Sequence, residues 1–206
     1  MENEDEVKTK KDEHQEEIDF YLEYIRTTRK IWNDQELIIN QQHAYLGVAN
    51  EIGALTETYK KVIGEGSSSK IDRTKVLEEI GDISYYVARI LDELFYKHEE
   101  PFSRVGSKTI FDEVAVELAK ILKQEESTVE GEYEIIDLVL ALPCYYKDIY
   151  LGATNKDAKE FMVGILSLTN NLAEITRMLG VDYKKILIAS SEKINKTAKT
   201  IGDGTK

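Results

Sequence analysis

Residues 75–94, "KVLEEIGDISYYVARILDEL", repeat apolar side chains at steps of three or four residues. This spacing places those side chains on one face of an α-helix. Residues 44–61, "AYLGVANEIGALTETYKK", show the same spacing, which continues to Val62. The sequence therefore predicts two long helices, about 36–63 and about 72–97, that pack together through their apolar faces. These faces consist of Tyr45, Val48, Ile52, Leu55, Tyr59 and Val62 on one helix and Val76, Ile80, Ile83, Val87, Ile90 and Leu94 on the other.

The same periodicity extends over the rest of the chain and predicts an all-α fold. A first helix is expected at about 18–32, and four more follow the polar stretch 98–107. Gly180 should end one of them, and Asp182 should cap the next. We expect an antiparallel bundle of about seven helices.

The domain organisation follows from the charge pattern and from the polar stretch. Residues 1–17 are highly charged, and we expect them to be disordered. Residues 18–206 should form a single all-α domain, in which 18–100 and 108–200 are two halves.

Composition excludes several classes of protein. A net charge of −12 argues against nucleic acid as a partner. Cys144 is the only cysteine, so there is no disulfide framework. The chain starts with charged residues instead of a signal peptide's apolar core, and its longest apolar run, 138–146, is far shorter than the roughly 20 residues of a membrane span. We expect a cytoplasmic protein with no membrane partner.

Acidic residues stand in a common phase on the two long helices. Glu79 and Asp82 each precede an apolar position by one residue, and Glu51 does the same on the earlier helix. If the helices pack face to face, these three carboxylates converge at the rim of the interface and repel one another unless a cation lies among them. Clusters of carboxylate oxygens suit Mg²⁺ or Mn²⁺. Gly53 and Gly81 suggest a close approach of backbone or ligand nearby.

With these motifs, the chain resembles the MazG-like branch of the all-α nucleoside triphosphate pyrophosphatases, a superfamily that includes the dimeric dUTPases. The family's motifs are Glu-Glu-x-x-Glu and, on the next helix, Glu-x-x-Asp. Glu51, Glu79 and Asp82 match three of the four metal-binding acids, whereas Ala54 replaces the fourth. Asn50, one turn before Ala54, offers an amide oxygen as a partial substitute.

The stretch 179–197, "LGVDYKKILIASSEKINKT", resembles the last helix of that family, where basic residues reach the phosphates. Lys193 matches the family's lysine, Lys196 falls near a later basic position, and Ser191 replaces an asparagine. The resemblance covers about 37–97 closely and 160–197 loosely. It also implies a homo-oligomer, because relatives assemble as dimers or tetramers.

The resemblance implies a Mg²⁺-dependent hydrolase that cleaves a nucleoside or deoxynucleoside triphosphate to the monophosphate and pyrophosphate. Mg²⁺, or Mn²⁺, would be held by Glu51, Glu79 and Asp82, and either Glu51 or Glu78 would accept the proton of the attacking water. The expected substrate-binding residues are Lys193, Lys196, Lys75 and Arg89 for the phosphates, and Trp32 with Tyr45, Tyr59, Tyr85 and Tyr86 for the base.

Two alternatives to a working hydrolase stay open. Ala54 is also consistent with a weakened or inactive relative that acts as a nucleotide- or protein-binding module, and an unrelated helical bundle with a structural role is the third reading.

The second half echoes the motifs of the first half, which suggests a degenerate internal duplication. Glu117 and Lys120 repeat the phase of Glu51 and Ala54, and Glu134 and Asp137 repeat that of Glu79 and Asp82. Lys120 makes a second working site implausible.

Overall fold

Seven α-helices account for most of the chain in the computed structural model, which describes residues 12, 14–32, 37–65, 71–96, 107–124 and 132–203. No strand occurs within these ranges, so the all-α prediction is confirmed. A 3₁₀ turn, Arg29–Ile31, follows the first helix, and a π-helical turn, Asp92–Tyr96, follows the third. The α-helices are α1 Gln15–Thr28, α2 Leu37–Glu65, α3 Arg73–Leu91, α4 Ser107–Lys123, α5 Glu132–Asn155, α6 Ala158–Met178 and α7 Tyr183–Asp203.

Two helix pairs form the frame of the bundle. α2 packs along α3, and α5 packs along α6 in a hairpin joined by Lys156 and Asp157. α2 also contacts α5, while α7 packs against α3 and α1. This arrangement places α7 beside the α3 face that carries the acidic motif. Across the described part of the chain, no helix is long and apolar enough to cross a membrane.

The predicted apolar faces form the core. One buried cluster includes side chains from all seven helices. Every predicted position of α3 is buried, and so are those of α2 apart from Val62, whose side chain lies outside the described ones. On α5, Leu138 and Tyr145 are only half-buried. Burial of these faces is the main favourable term in folding.

The ends of α6 and α7 follow the local signals in the sequence. Gly180 adopts a φ of 73° just after α6, a conformation that favours glycine. Asp182 caps α7, because its Oδ1 accepts a hydrogen bond from the Lys184 amide at 2.8 Å. Both predictions for this turn are therefore confirmed.

The α5–α6 hairpin depends on glycines that bring the two backbones close together. A Cβ at Gly164 would lie 2.7 Å from the backbone nitrogen of Ile149, and one at Gly152 would overlap the backbone of Phe161. No side chain fits at either position without moving the neighbouring helix.

The limits of three predicted segments need correction or cannot be compared. α1 begins at Gln15, so the expectation of disorder was wrong for residues 14–17. Glu17 is buried there and pairs with Lys123 of α4 at 3.7 Å, a contact that local charge does not reveal. The rest of the charged start, residues 1–11 and 13, and the polar stretches 66–70 and 97–106 lie outside the described residues.

The predicted duplication is not confirmed. It would require α4 and α5 to pack as α2 and α3 do, but α4 packs against α6 and α1, and α5 packs against α6 and α2. Glu117 and Lys120 form an ion pair at 2.6 Å on α4, beside a groove of about 410 Å³ between α4 and α6. Asp137 is exposed on α5, and the side chain of Glu134 lies outside the described ones.

Candidate acidic site

One face of α2 carries four positions that line the candidate site. His43, Gly47, Glu51 and Ala54 follow one another at helical intervals of four, four and three residues. The ring of Tyr86, from α3, lies directly against Gly47, and any Cβ at that position would overlap it. Gly47 is therefore the glycine that permits the close approach of α2 and α3 at the site.

The two glycines that the sequence suggested do not serve this purpose. Gly53 faces open space, with no atom within 4 Å of a Cβ built on it, so no backbone approaches it closely. Gly81 is buried, but its Cβ would lie 3.7 Å from the nearest atom of Ile186, which is ordinary van der Waals contact.

Glu51 and Glu79 meet across the α2–α3 interface and share a hydrogen bond. This bond forms when one of the two carboxyl groups carries a proton, because two ionised carboxylates cannot donate to each other. Partial burial, this bond and the negative charges of Glu51 and Asp82 raise the pKa of Glu79 from 4.5 to about 6, although Lys75 opposes the rise. The two acids therefore form a pair whose negative charge the nearby Lys75 offsets only in part.

Asp82 lies next to this pair but binds a different partner. Both of its carboxylate oxygens accept hydrogen bonds from Nζ of Lys193, each at 2.8 Å. This contact joins α3 to α7 across 111 positions of sequence. Partial burial raises the pKa of Tyr86, with the charges of Glu51 and Asp82 adding to the rise and Lys193 opposing it. The pKa of Tyr86 therefore responds to the charges of both pairs.

The three predicted metal ligands share one neighbourhood without forming a chelating set. Among the described residues, no group of three His, Cys, Asp or Glu side chains is arranged to hold a metal ion. The donor chemistry nevertheless fits a divalent cation, because the negative charges of Glu51 and Asp82 add to the rise in the pKa of Glu79, and a cation among the three carboxylates would offset that repulsion. Oxygen donors of this kind are those that Mg²⁺ and Mn²⁺ prefer.

The remaining polar residues of the prediction lie at the edge of the acidic site. Asn50 donates to Oε1 of Glu51 at 3.1 Å, so its amide nitrogen faces the acids in this conformation. Glu78 is exposed and lies one helical turn before Asp82, on nearly the same face of α3. Lys75 is also exposed and lies close enough to Glu79 to lower its pKa. Lys196, one turn after Lys193, is exposed on α7.

Arg89 has a different environment from the one predicted. Its side chain is fully buried, and it donates to Asp92 at 2.6 Å and to Glu93 at 2.5 Å. Arg29 also binds Asp92. Contrary to the sequence-based prediction, Arg89 belongs to a buried ion network that joins α3 to the 3₁₀ turn, and its guanidinium does not reach a phosphate at the surface.

Trp32 packs against protein groups instead of offering a bare ring. It stacks on His43, with ring centroids 4.6 Å apart, and the Arg89 guanidinium lies 4.6 Å from the centroid of the Trp32 ring. The exposed His43 ring also approaches Tyr86, at 6.1 Å. Tyr45 and Tyr59, which were predicted to stack on a base, are buried in the core.

His43 belongs to the site, although it was not among the predicted site residues. The available signal was its position eight residues before Glu51, two helical turns away on the same face. His43 and Tyr86 together form the accessible edge of an aromatic cluster beside the acids.

Comparisons of this chain with protein-family models, with curated proteins and with solved structures found no match.

Proposed function

We propose that the protein is a Mg²⁺-dependent pyrophosphohydrolase that converts a nucleoside or deoxynucleoside triphosphate to the monophosphate and pyrophosphate. The main support is the juxtaposition of the Glu51–Glu79 pair with the Asp82–Lys193 pair. The resemblance of residues 44–61 and 75–94 to the MazG-like enzymes suggests the reaction. We also propose, from the resemblance alone, that the protein is a homo-oligomer and, from its composition, that it is cytoplasmic.

The acids provide a reason to bind a divalent cation. Partial burial and the negative charges of Glu51 and Asp82 raise the pKa of Glu79, and a Mg²⁺ or Mn²⁺ ion among the three acids would relieve the repulsion between them. A bound ion would neutralise phosphate charge and make a water molecule more acidic. Ala54 leaves the site with one carboxylate fewer than the family motif, so we expect weak metal affinity.

The protein's own side chains account for the other requirements of the reaction. The Glu51–Glu79 pair can hold or accept a proton close to neutral pH, because the pKa of Glu79 is about 6. Lys193 and Lys75 supply positive charge next to the acids, where the phosphates of a substrate would lie. His43 and Tyr86 offer aromatic surface for a base at the same edge.

A nucleotide-binding protein without turnover is the second candidate function. Ala54 stands where the family motif has a fourth acid, so the site has one metal-binding carboxylate fewer. In addition, Lys193 already binds the third acid, Asp82. Both features weaken metal binding without removing the positive charges that a triphosphate needs.

Pyrophosphate release from a panel of NTPs and dNTPs, with Mg²⁺ or Mn²⁺, tests the proposal. We expect release by the wild type, loss of at least about 100-fold in Glu79→Gln, and wild-type rates in the control Asp137→Asn, which changes an exposed acid on α5. Nucleotide binding without release would support the second candidate. Neither binding nor release would refute both.

A further inference from the structure

Lys193 is held in place by the packing of its helix. α7 is fixed to α3 by a buried hydrogen bond between Tyr183 and Ser84 at 2.8 Å, and to α1 by one between Ser190 and Tyr24 at 3.1 Å. Lys193 follows Ser190 by three residues, so it lies on nearly the same face of α7. These two buried hydrogen bonds hold α7 in a position from which the Lys193 ammonium contacts Asp82.

The contact of Lys193 with Asp82 occupies both carboxylate oxygens. Nζ lies 2.8 Å from Oδ1 and 2.8 Å from Oδ2. Asp82 is the one predicted ligand that does not take part in the hydrogen bond between Glu51 and Glu79. The ion pair thus explains why the three acids share a neighbourhood without forming a chelating group in the described part of the chain.

We infer that Lys193 is an internal counter-ion that keeps Asp82 from joining Glu51 and Glu79 until a divalent cation is bound. The inference rests on the proposed metal site. An ammonium and a divalent cation cannot both lie at hydrogen-bonding distance from the same two oxygens without strong repulsion. Lys193 therefore has to release Asp82 when the three acids gather around a cation.

Release of Lys193 has a second consequence for the substrate. The lysine side chain is 63% exposed, and its flexible stem allows the ammonium to move to a nearby phosphate oxygen. A triphosphate that attracts Lys193 frees Asp82 for the cation, and a cation on Asp82 frees Lys193 for the triphosphate. Binding of the two ligands should therefore be mutually favourable, as linkage requires.

Binding of Mn²⁺ alone, measured through the EPR signal of the free ion, tests the competition. Lys193→Met removes the ammonium, and we expect it to tighten Mn²⁺ binding by about two- to fivefold, the range of an exposed ion pair. Lys196→Met is the matched control, because it removes an exposed lysine one turn further along α7. We expect this control to change the affinity by less than the Lys193 variant does.

Thermal unfolding gives a second measurement on the same variants. We expect Mn²⁺ to raise the Tm of Lys193→Met by more than it raises that of the wild type. Equal or weaker Mn²⁺ binding by Lys193→Met would overturn the inference while the proposed metal site stands. If neither the wild type nor the variant binds millimolar Mn²⁺, the proposed function itself fails, and the inference fails with it.

Discussion

Replacement of Glu79 by glutamine should stabilise the metal-free protein at neutral pH while removing its proposed activity. The wild-type carboxylate has a pKa of about 6 in the folded state, against 4.5 without the fold. The folded protein therefore binds more protons than the unfolded chain between these values. Stability is then lost as the pH rises from about 4.5 through 6. Glutamine stays neutral, so the variant avoids this loss.

The size of the effect follows from the shift in pKa. A rise from 4.5 to about 6 corresponds to about 2 kcal/mol between the two protonation states. Solvent screens a partly exposed pair, which reduces the expected effect to about 1 kcal/mol. We expect Glu79→Gln and the wild type to differ little at pH 4, with the variant gaining about 1 kcal/mol relative to the wild type by pH 7.5.

Urea unfolding between pH 4 and 7.5, in the presence of EDTA, measures the difference. Glu78→Gln is the matched control, because it changes an exposed neighbouring acid and should give a difference that does not vary with pH. A Glu79→Gln difference that stays constant, or that falls as the pH rises, would show that the fold does not raise the pKa of Glu79.

Three further predictions concern packing, the ion network and the missing acid. Gly164→Ala should lower the free energy of unfolding by about 1–3 kcal/mol, because its Cβ would lie 2.7 Å from the nitrogen of Ile149. Gly53→Ala, in open space on α2, should instead raise the free energy of unfolding by about 0.5–1 kcal/mol. Urea unfolding measures both variants, and equal effects would contradict the described packing. Arg89→Met should cost about 3–5 kcal/mol in the same assay, since it removes a buried cation that pairs with two buried carboxylates, and a loss below 1 kcal/mol would show that the network is open to water. Ala54→Glu should increase Mn²⁺ affinity, measured by calorimetry, because it adds a carboxylate on the face of Glu51; unchanged affinity would place the metal elsewhere.

The helices and their buried faces could be predicted because both depend on spacing along the chain. Helical periodicity states which side chains share a face, and burial follows once neighbouring faces meet. The turn between α6 and α7 was equally accessible, since Gly180 and Asp182 act through their own backbone conformation and hydrogen bonds. The start of α1 was not, because Glu17 is held by Lys123 from a distant helix.

The site could be predicted only in outline. A common helical phase indicated that Glu51 and Glu79 lie at one interface, and the structure brings them together. The partner of Asp82 depends on how α7 crosses α3, which no local pattern contains. Arg89 shows the opposite case: Asp92 and Glu93 follow it at three and four residues, the spacing of an intrahelical ion pair, so its structural role was readable from the sequence.

Because the Tyr86 ring lies against Gly47, the residue types that fit at positions 47 and 86 depend on each other. Because any side chain at 47 would overlap the ring, substitutions there are tolerated only where position 86 carries a smaller residue. In an alignment of homologues the two columns should covary, with glycine opposite every tyrosine. A relative that has both a branched residue at 47 and an aromatic residue at 86 would need a wider separation of α2 and α3, and with it a more open acidic site.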